Sequence, residues 1–427
     1  MLVPALLALS LALPLVSAEH LSDSLQSRVY DVMNQISTHS WENGTKAQAI
    51  LEATYPAYSV FSSSAPLPLP ADFSDDDIPE LVDIARITMQ QRPETNHSAS
   101  ARGGSTLLSD DAAGDPASLG ITILLANAST LDAQVNGVGY SEAAEAELNY
   151  LLYDVPRTSS GAISHRADQP QLWADSAYMV PPFLAYYASL HSNLTLLRTA
   201  YDQISLYRDA LQQDNMLWNH IEGGSGTTDA MDWATGNAWA MAGMLRVWAT
   251  FYWSGFRDQL ESQMSDLEDW IDEIFVATTP YITSNGILRN YITDNSSFED
   301  TSASALYAAV GLRLSTLNIS STHLNTSLTL LSSASSYVNS SGFLTQTVNP
   351  LDFSHQATDS GSPEGQAFVV MAYAAHKDWD ALGREGRGGD DGLGETSGAL
   401  GLMRFGLGGG SVGWGMVGLA VAVGCIL

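Results

Sequence analysis

Two stretches of this chain bring carboxyl, imidazole and indole side chains close together. In SHRADQPQLWADSAYMVPPFLAYYA, His165 and Arg166 precede Trp173, Ala174 and Asp175, and a run of small and aromatic residues follows. An Asp in such a place reads as a helix cap, a role that needs only backbone amides. Trp173 gives Asp175 a second reading. An indole face beside a carboxyl removes water from it and favours the protonated form that a general acid needs. In LWNHIEGGSGTTDAMDWATGNAWAMAG, Trp218, His220, Asp229, Asp232, Trp233, Asn237 and Trp239 are gathered in the same manner. His220 there can be a hydrogen-bond donor, a proton carrier or a structural residue. Two further stretches, FEDTSASALYAAVGL and DSGSPEGQAFVVMAYAA, carry Glu299, Asp300, Glu364 and Gln366. An acidic residue before Thr-Ser is also an ordinary helix start, so these four are assigned to shaping the site.

The elements that must position these residues are helices. Apolar residues recur at helical period over 25–36, 47–57, 78–90, 119–128, 141–153, 177–191, 194–209, 238–253, 257–278, 301–315, 324–337 and 363–377. Long runs of alternating β-branched residues are absent, so the class is all-α. The polar residues just ahead of the small-residue-rich helices, Asp115, Asp175, Asn237, Asp300 and Glu364, are 60, 62, 63 and 64 residues apart. Each interval holds two helices and two loops, which predicts a helical hairpin whose inner helix starts at a polar rim residue. The helix beginning near Ala47 supplies a further unit, giving six hairpins, an (α/α)6 barrel. Helices of ordinary length at ordinary spacing would produce a similar periodicity. Small residues allow close approach of the inner helices, and their Trp and Tyr side chains offer flat faces to sugar rings or to the core.

At WADSAYM, LWNH, WATGNAWAMA and DTSASALYA the sequence resembles glycoside hydrolase family 105, the unsaturated rhamnogalacturonyl hydrolases, and more distantly the unsaturated glucuronyl hydrolases. The resemblance implies a six-hairpin barrel, no metal or cofactor, and an oligosaccharide substrate ending in an unsaturated uronic acid left by a polysaccharide lyase. It also implies that Asp175 protonates C4 of the C4=C5 double bond and then acts as base on the water that adds at C5. Asp115, in DPASLGITILLAN, would orient water or a ring hydroxyl. His165, Arg166, Trp173, His220, Trp233, Asn237 and Trp239 would bind the sugar. Where the family has a basic residue before Gly-Asn, this chain has Thr235, leaving Arg166 and Arg289 as candidates for holding a uronate carboxylate. Two other readings stand beside this one. The first is an ordinary glycosidase using two carboxylates, Asp175 with Asp232 or Asp115. The second is a wall protein that binds glycan without turnover.

The rest of the chain places such an enzyme outside the cell. Residues 1–18 read as a secretory signal, an apolar run closing on Ser17 and Ala18. Residues 412–427 form a second apolar run with no polar flank, preceded by a spacer and by the small trio Ser397, Gly398 and Ala399. That layout is an attachment signal for a glycosylphosphatidylinositol anchor. Residues 19–380 then form the barrel and 381–411 a Gly-rich stalk. Sequons at Asn43, Asn96, Asn127, Asn193, Asn295, Asn318, Asn325 and Asn339 suit the same route. Cys425 is the single cysteine and falls in the tail, so the core must be held without disulfides. A formal charge of −30 excludes nucleic-acid binding, which needs a basic footprint. The expected assembly is a monomer that meets the membrane through its lipid anchor alone.

Overall fold

The computed structural model describes residues 21–93, 102–130, 133–358 and 361–383. The signal segment, the sequon at Asn96, the anchor site near Ser397, the tail with Cys425 and most of the stalk lie outside the described residues.

Among the described residues thirteen α-helices follow one another: α1 (Asp23–Ile36), α2 (Ser40–Thr54), α3 (Pro79–Gln91), the single turn α4 (Gly114–Ala117), α5 (Gly120–Thr130), α6 (Tyr140–Asn149), α7 (Ser176–Leu190), α8 (Leu194–Leu211), α9 (Ala234–Trp253), α10 (Glu261–Thr278), α11 (Thr301–Thr316), α12 (Leu324–Ser335) and α13 (Pro363–Ala381). Inner helices α2, α4 with α5, α7, α9, α11 and α13 pack in sequence, and α13 returns to α2. Helices α1, α3, α6, α8, α10 and α12 pack around that ring. The protein is therefore an all-α six-hairpin (α/α)6 barrel, as the spacing of the rim residues predicts.

Burial follows from the two kinds of helix. Along α9 and α11 nearly every side chain is buried, because one face meets the barrel axis and the other meets the outer layer. Helix α8 buries one stripe only, through Leu197, Ala200, Ile204, Tyr207 and Leu211. Gly243 of α9 marks a close crossing: a Cβ there would come within 2.0 Å of the Ala177 carbonyl oxygen on α7.

Short antiparallel ribbons sit where the chain enters inner helices, β3 (Gln171–Trp173) with β4 (Ile221–Gly223), β5 (Leu288–Arg289) with β6 (Glu299–Asp300), and β7 (Val348–Asn349) with β8 (Asp352–Gln356), while β1 (Gln134–Val135) with β2 (Val138–Gly139) leads into the outer helix α6. The β3–β4 pair opposes Trp173 to Ile221 and so ties the entry of α7 to the loop before α9. One device recurs in three successive inner helices. The fourth residue of α9, α11 and α13 accepts a backbone N–H from the preceding hairpin: Asn237 from Trp218 at 2.8 Å, Ser304 from Leu288 at 2.9 Å, and Gln366 from Leu344 at 2.8 Å.

The far end of the barrel axis is closed by charge. Arg313 of α11 donates through Nε and Nη2 to Glu52 Oε2 at 3.2 and 3.1 Å, and Gln48 donates to the other oxygen at 2.8 Å. Arg246 lies over the Tyr178 ring at 4.5 Å. No helix among the described residues is long and apolar enough to cross a membrane.

Candidate active site

A cavity of about 240 Å³ opens at the end of the barrel where the inner helices begin. Each inner position contributes from its first turns: Trp41 from α2, Asp115 from α4, Asp175 and Met179 from α7, Thr235 and Trp239 from α9, Ser302 from α11, and Glu364 and Phe368 from α13. The β7–β8 ribbon supplies one wall through Val348, Pro350, Leu351 and Phe353.

Asp175 occupies the N-cap position of α7 but has helical backbone angles and makes no side-chain cap bond. Its carboxyl is 15 % exposed, and Oδ2 is buried without a hydrogen-bond partner. That oxygen faces His220 Nε2 at 3.5 Å, a contact that a small side-chain movement closes. The other nitrogen, His220 Nδ1, lies 3.0 Å from Asp229 Oδ2, which also accepts from the Tyr291 hydroxyl at 3.0 Å. Burial works to lower the His220 pKa, but the carboxylates on both its nitrogens outweigh burial and leave it raised. Trp233 tilts over the imidazole at 4.3 Å between ring centres and Phe353 meets it edge-on at 4.6 Å. The ring is thereby fixed behind Asp175.

His165 behaves in the opposite way. Burial pushes its pKa down to about 4, with Asp175 only partly opposing, so the ring is neutral in mildly acidic and neutral solution. It stacks on Trp173 at 4.8 Å and 21°, and Trp173 is held by a 2.9 Å bond from Nε1 to Gln171 Oε1. His165 Nε2 lies 3.6 Å from Asp115 Oδ1. Burial first, then the charges of Asp110 and Asp175, hold the Asp115 carboxyl well above the ordinary range. The cavity thus offers a carboxyl whose pKa is raised beside a second carboxyl whose neighbour is an imidazole, a set able to give and take protons.

Of the residues singled out by sequence, Asp115, His165, Arg166, Trp173, Asp175, Trp233 and Trp239 line the cavity. Asn237 and His220, expected to bind the sugar, do not, and that expected contact is corrected. Asn237 is fully buried, and its amide bonds Trp218 and Trp233 backbone atoms at 2.8 to 3.0 Å, leaving nothing to offer a ligand. His220 is 1 % exposed and meets Asp175 instead of the open space. Arg289 donates to the Ser297 carbonyl at 2.9 Å and Asp232 accepts from the Thr293 hydroxyl at 2.6 Å; neither lines the cavity. Among the rim carboxyls assigned to shaping, Asp300 is a true cap, accepting from Ser302 N at 3.0 Å and Ala303 N at 3.3 Å. Glu364, by contrast, lines the cavity and accepts from Trp41 Nε1 and, at 3.2 Å, from Ser362 Oγ. Trp41 carries no signal in the sequence, and Asp229 stands among the LWNH-stretch residues without a role that its spacing assigns. Trp41 lies in a polar first turn of α2 that lacks apolar periodicity, and Asp229 sits in a loop.

A closed barrel of six helical hairpins with paired carboxyls and tryptophans at its mouth defines the six-hairpin glycoside hydrolases, and this protein is a glycoside hydrolase. The sequence profile of Glycosyl Hydrolase Family 88 matches residues 108–324, and the chain belongs to that family. No curated protein matches the chain. Among solved structures it is similar to a possible member of glycoside hydrolase family 105 from Klebsiella pneumoniae, with a TM-score of 0.63 and 15 % identity over 83 % of this chain and 93 % of that one. A glycosyl hydrolase family 88 protein from Bacteroides vulgatus gives 0.59 and 13 % over 82 % and 98 %. The unsaturated glucuronyl hydrolase of Bacillus sp. GL1, responsible for degradation of glycosaminoglycan, gives 0.52 and 14 % over 82 % and 94 %.

Glu364 makes the site's electrostatic strain measurable. Burial, and then the charge of Glu42, push its pKa up to about 7. In the unfolded chain the same carboxyl ionises near ~4.3. Between those values the unfolded state has lost a proton that the folded state keeps, so stability falls as pH rises and the full penalty is present above 7. Its ceiling is about 4 kcal/mol. Glu364→Gln should therefore raise the melting temperature at pH 8 and leave it nearly unchanged at pH 4. Equal shifts at both pH values would contradict this assignment.

Proposed function

We propose that the protein hydrates the C4=C5 double bond of an unsaturated uronic acid at the end of a cell-wall oligosaccharide and so releases the neighbouring sugar. The observation that carries the proposal is the Asp175 carboxyl, which heads α7 without capping it and lines a tryptophan-walled cavity with its Oδ2 set against His220. Asp175 delivers its proton to C4, and the positive charge that develops at C5 is shared with the ring oxygen. Asp175, now a carboxylate, takes a proton from the water whose oxygen bonds to C5. The resulting hemiketal opens to a ketone at C5, and the hemiacetal exposed at C1 expels the neighbouring sugar as an alcohol. One water is consumed and Asp175 ends as it began.

Asp115 orients the water or a ring hydroxyl, with His165 as its neutral neighbour. Trp173, Trp233 and Trp239 pack against the sugar, and Arg166 is the cation closest to its carboxyl end. His220 is a positioning residue, holding Asp175 through Nε2 while Asp229 fixes its tautomer. Lyase-generated oligosaccharides should lose their double-bond absorbance on incubation with the enzyme. Asp175→Asn should lower kcat by about 10²- to 10⁴-fold. A panel of such oligosaccharides left untouched by wild-type protein would end the proposal.

We further infer export and anchoring: a signal at 1–18, a barrel at 19–380, a stalk at 381–411 and a lipid-anchor signal at 412–427. Support comes from the two apolar ends of the sequence and from exposed sequon residues at Asn193, Asn295, Asn325 and Asn339. Phosphatidylinositol-specific phospholipase C should release glycosylated protein from intact cells expressing the full chain. Retention after that treatment would favour a spanning tail.

A further inference from the structure

The charges around the cavity bear on which form of the uronic acid it admits. Asp115, Asp175 and Glu364 bring three carboxyls to its lining, and Arg166 is the sole cationic side chain among the described residues there. Arg166 is already faced by Asp111, at 3.6 Å from Nη2. At position 235 the threonine hydroxyl donates to Asp300 Oδ2 at 2.9 Å. The first free amides of α11, Ser302 N and Ala303 N, also donate to Asp300, so that helix start is closed to an outside anion. Trp41 Nε1 is taken by Glu364. Thr235, Ser302 N, Ala303 N and Trp41 Nε1 are therefore committed to the protein's own carboxyls, and Arg166 is left as the cation a ligand can reach.

A free carboxylate entering this space at pH 8 would meet the ionised Glu364 and surrender its hydration for one shared cation. A neutral carboxyl derivative meets no such opposition. It would lie against the apolar wall of Val348, Pro350, Leu351, Phe353 and Phe368, with its carbonyl oxygen still able to accept from Arg166. We propose that the cavity selects an unsaturated uronyl unit whose carboxyl is carried as a neutral ester over the same unit bearing a free carboxylate. Such a substrate must come from β-elimination of an esterified polyuronide, because elimination creates the double bond and leaves the ester in place. The inference rests on the hydration reading above.

The test is a matched pair of unsaturated disaccharides, one a methyl ester and one the free acid, followed by loss of the double bond with the wild-type chain. At pH 8 the ester should have the higher kcat/KM by about tenfold or more. Because both substrates share the enzyme's catalytic ionisations, their ratio isolates recognition. The ratio should narrow at pH 5, where Glu364 holds its proton. The groups that bear on that titration are Glu42 and Trp41 of α2, Ser362 beside it, and Asp115, Asp175 and Arg166 on the shared lining. Thr235→Arg, which adds a cation at the start of α9, should move the ratio toward the acid. A free acid turned over as well as the ester at pH 8 would overturn this inference and leave hydration standing. Consumption of neither substrate would overturn both.

Discussion

A carboxyl at the head of a helix is usually spent on the helix, because the first four amides need acceptors. Asp175 is exempt: its backbone is already helical and its side chain makes no cap bond. The exemption holds because the contacts around it are rigid. Trp173 is fixed by the β3–β4 ribbon and by Gln171, and His220 is fixed by Asp229, Trp233 and Phe353. Asp300 makes the opposite choice at the start of α11, giving both oxygens to the helix and to Thr235. Residues of the same type at the same repeat position thus divide into chemistry and scaffolding according to what stands beside them.

The barrel makes this division possible by polarising its own axis. At the mouth, inner helices begin with carboxyls and tryptophans around open space. At the far end Arg313, Glu52 and Gln48 close the axis with a bonded network whose charged pair is buried to 3 % exposure on each side. A buried pair of this kind is strongly disfavoured unless each charge is met, and here the ring itself brings the partners from α2 and α11. Between the two ends small residues let the helices approach, as at Gly243. Acidic side chains can be crowded at one end because the fold is secured elsewhere.

Much of this was legible in the sequence. Helical periodicity marks every principal helix, and the spacing of Asp115, Asp175, Asn237, Asp300 and Glu364 gives the hairpin repeat, because repeating geometry needs repeating length. The WADSAYM stretch locates the central carboxyl because its tryptophan is adjacent in the chain. What escaped depends on contacts between distant segments. Trp41 reaches Glu364 from a polar helix start, Asp229 reaches His220 from a loop, and the β7–β8 wall has no chemical signature. Asn237 misled for the same reason: its type and place suit sugar binding, while its partners are the Trp218 and Trp233 backbone.

The claim at the centre is that Asp175 protonates carbon, not the glycosidic oxygen. Turnover of an unsaturated oligosaccharide in D2O, followed by NMR as it proceeds, tests it directly. Hydration predicts that release of the neighbouring sugar coincides with loss of the double bond and entry of one deuterium at C4, on a single face. Release of a free uronic acid that still carries its C4=C5 bond would contradict the account.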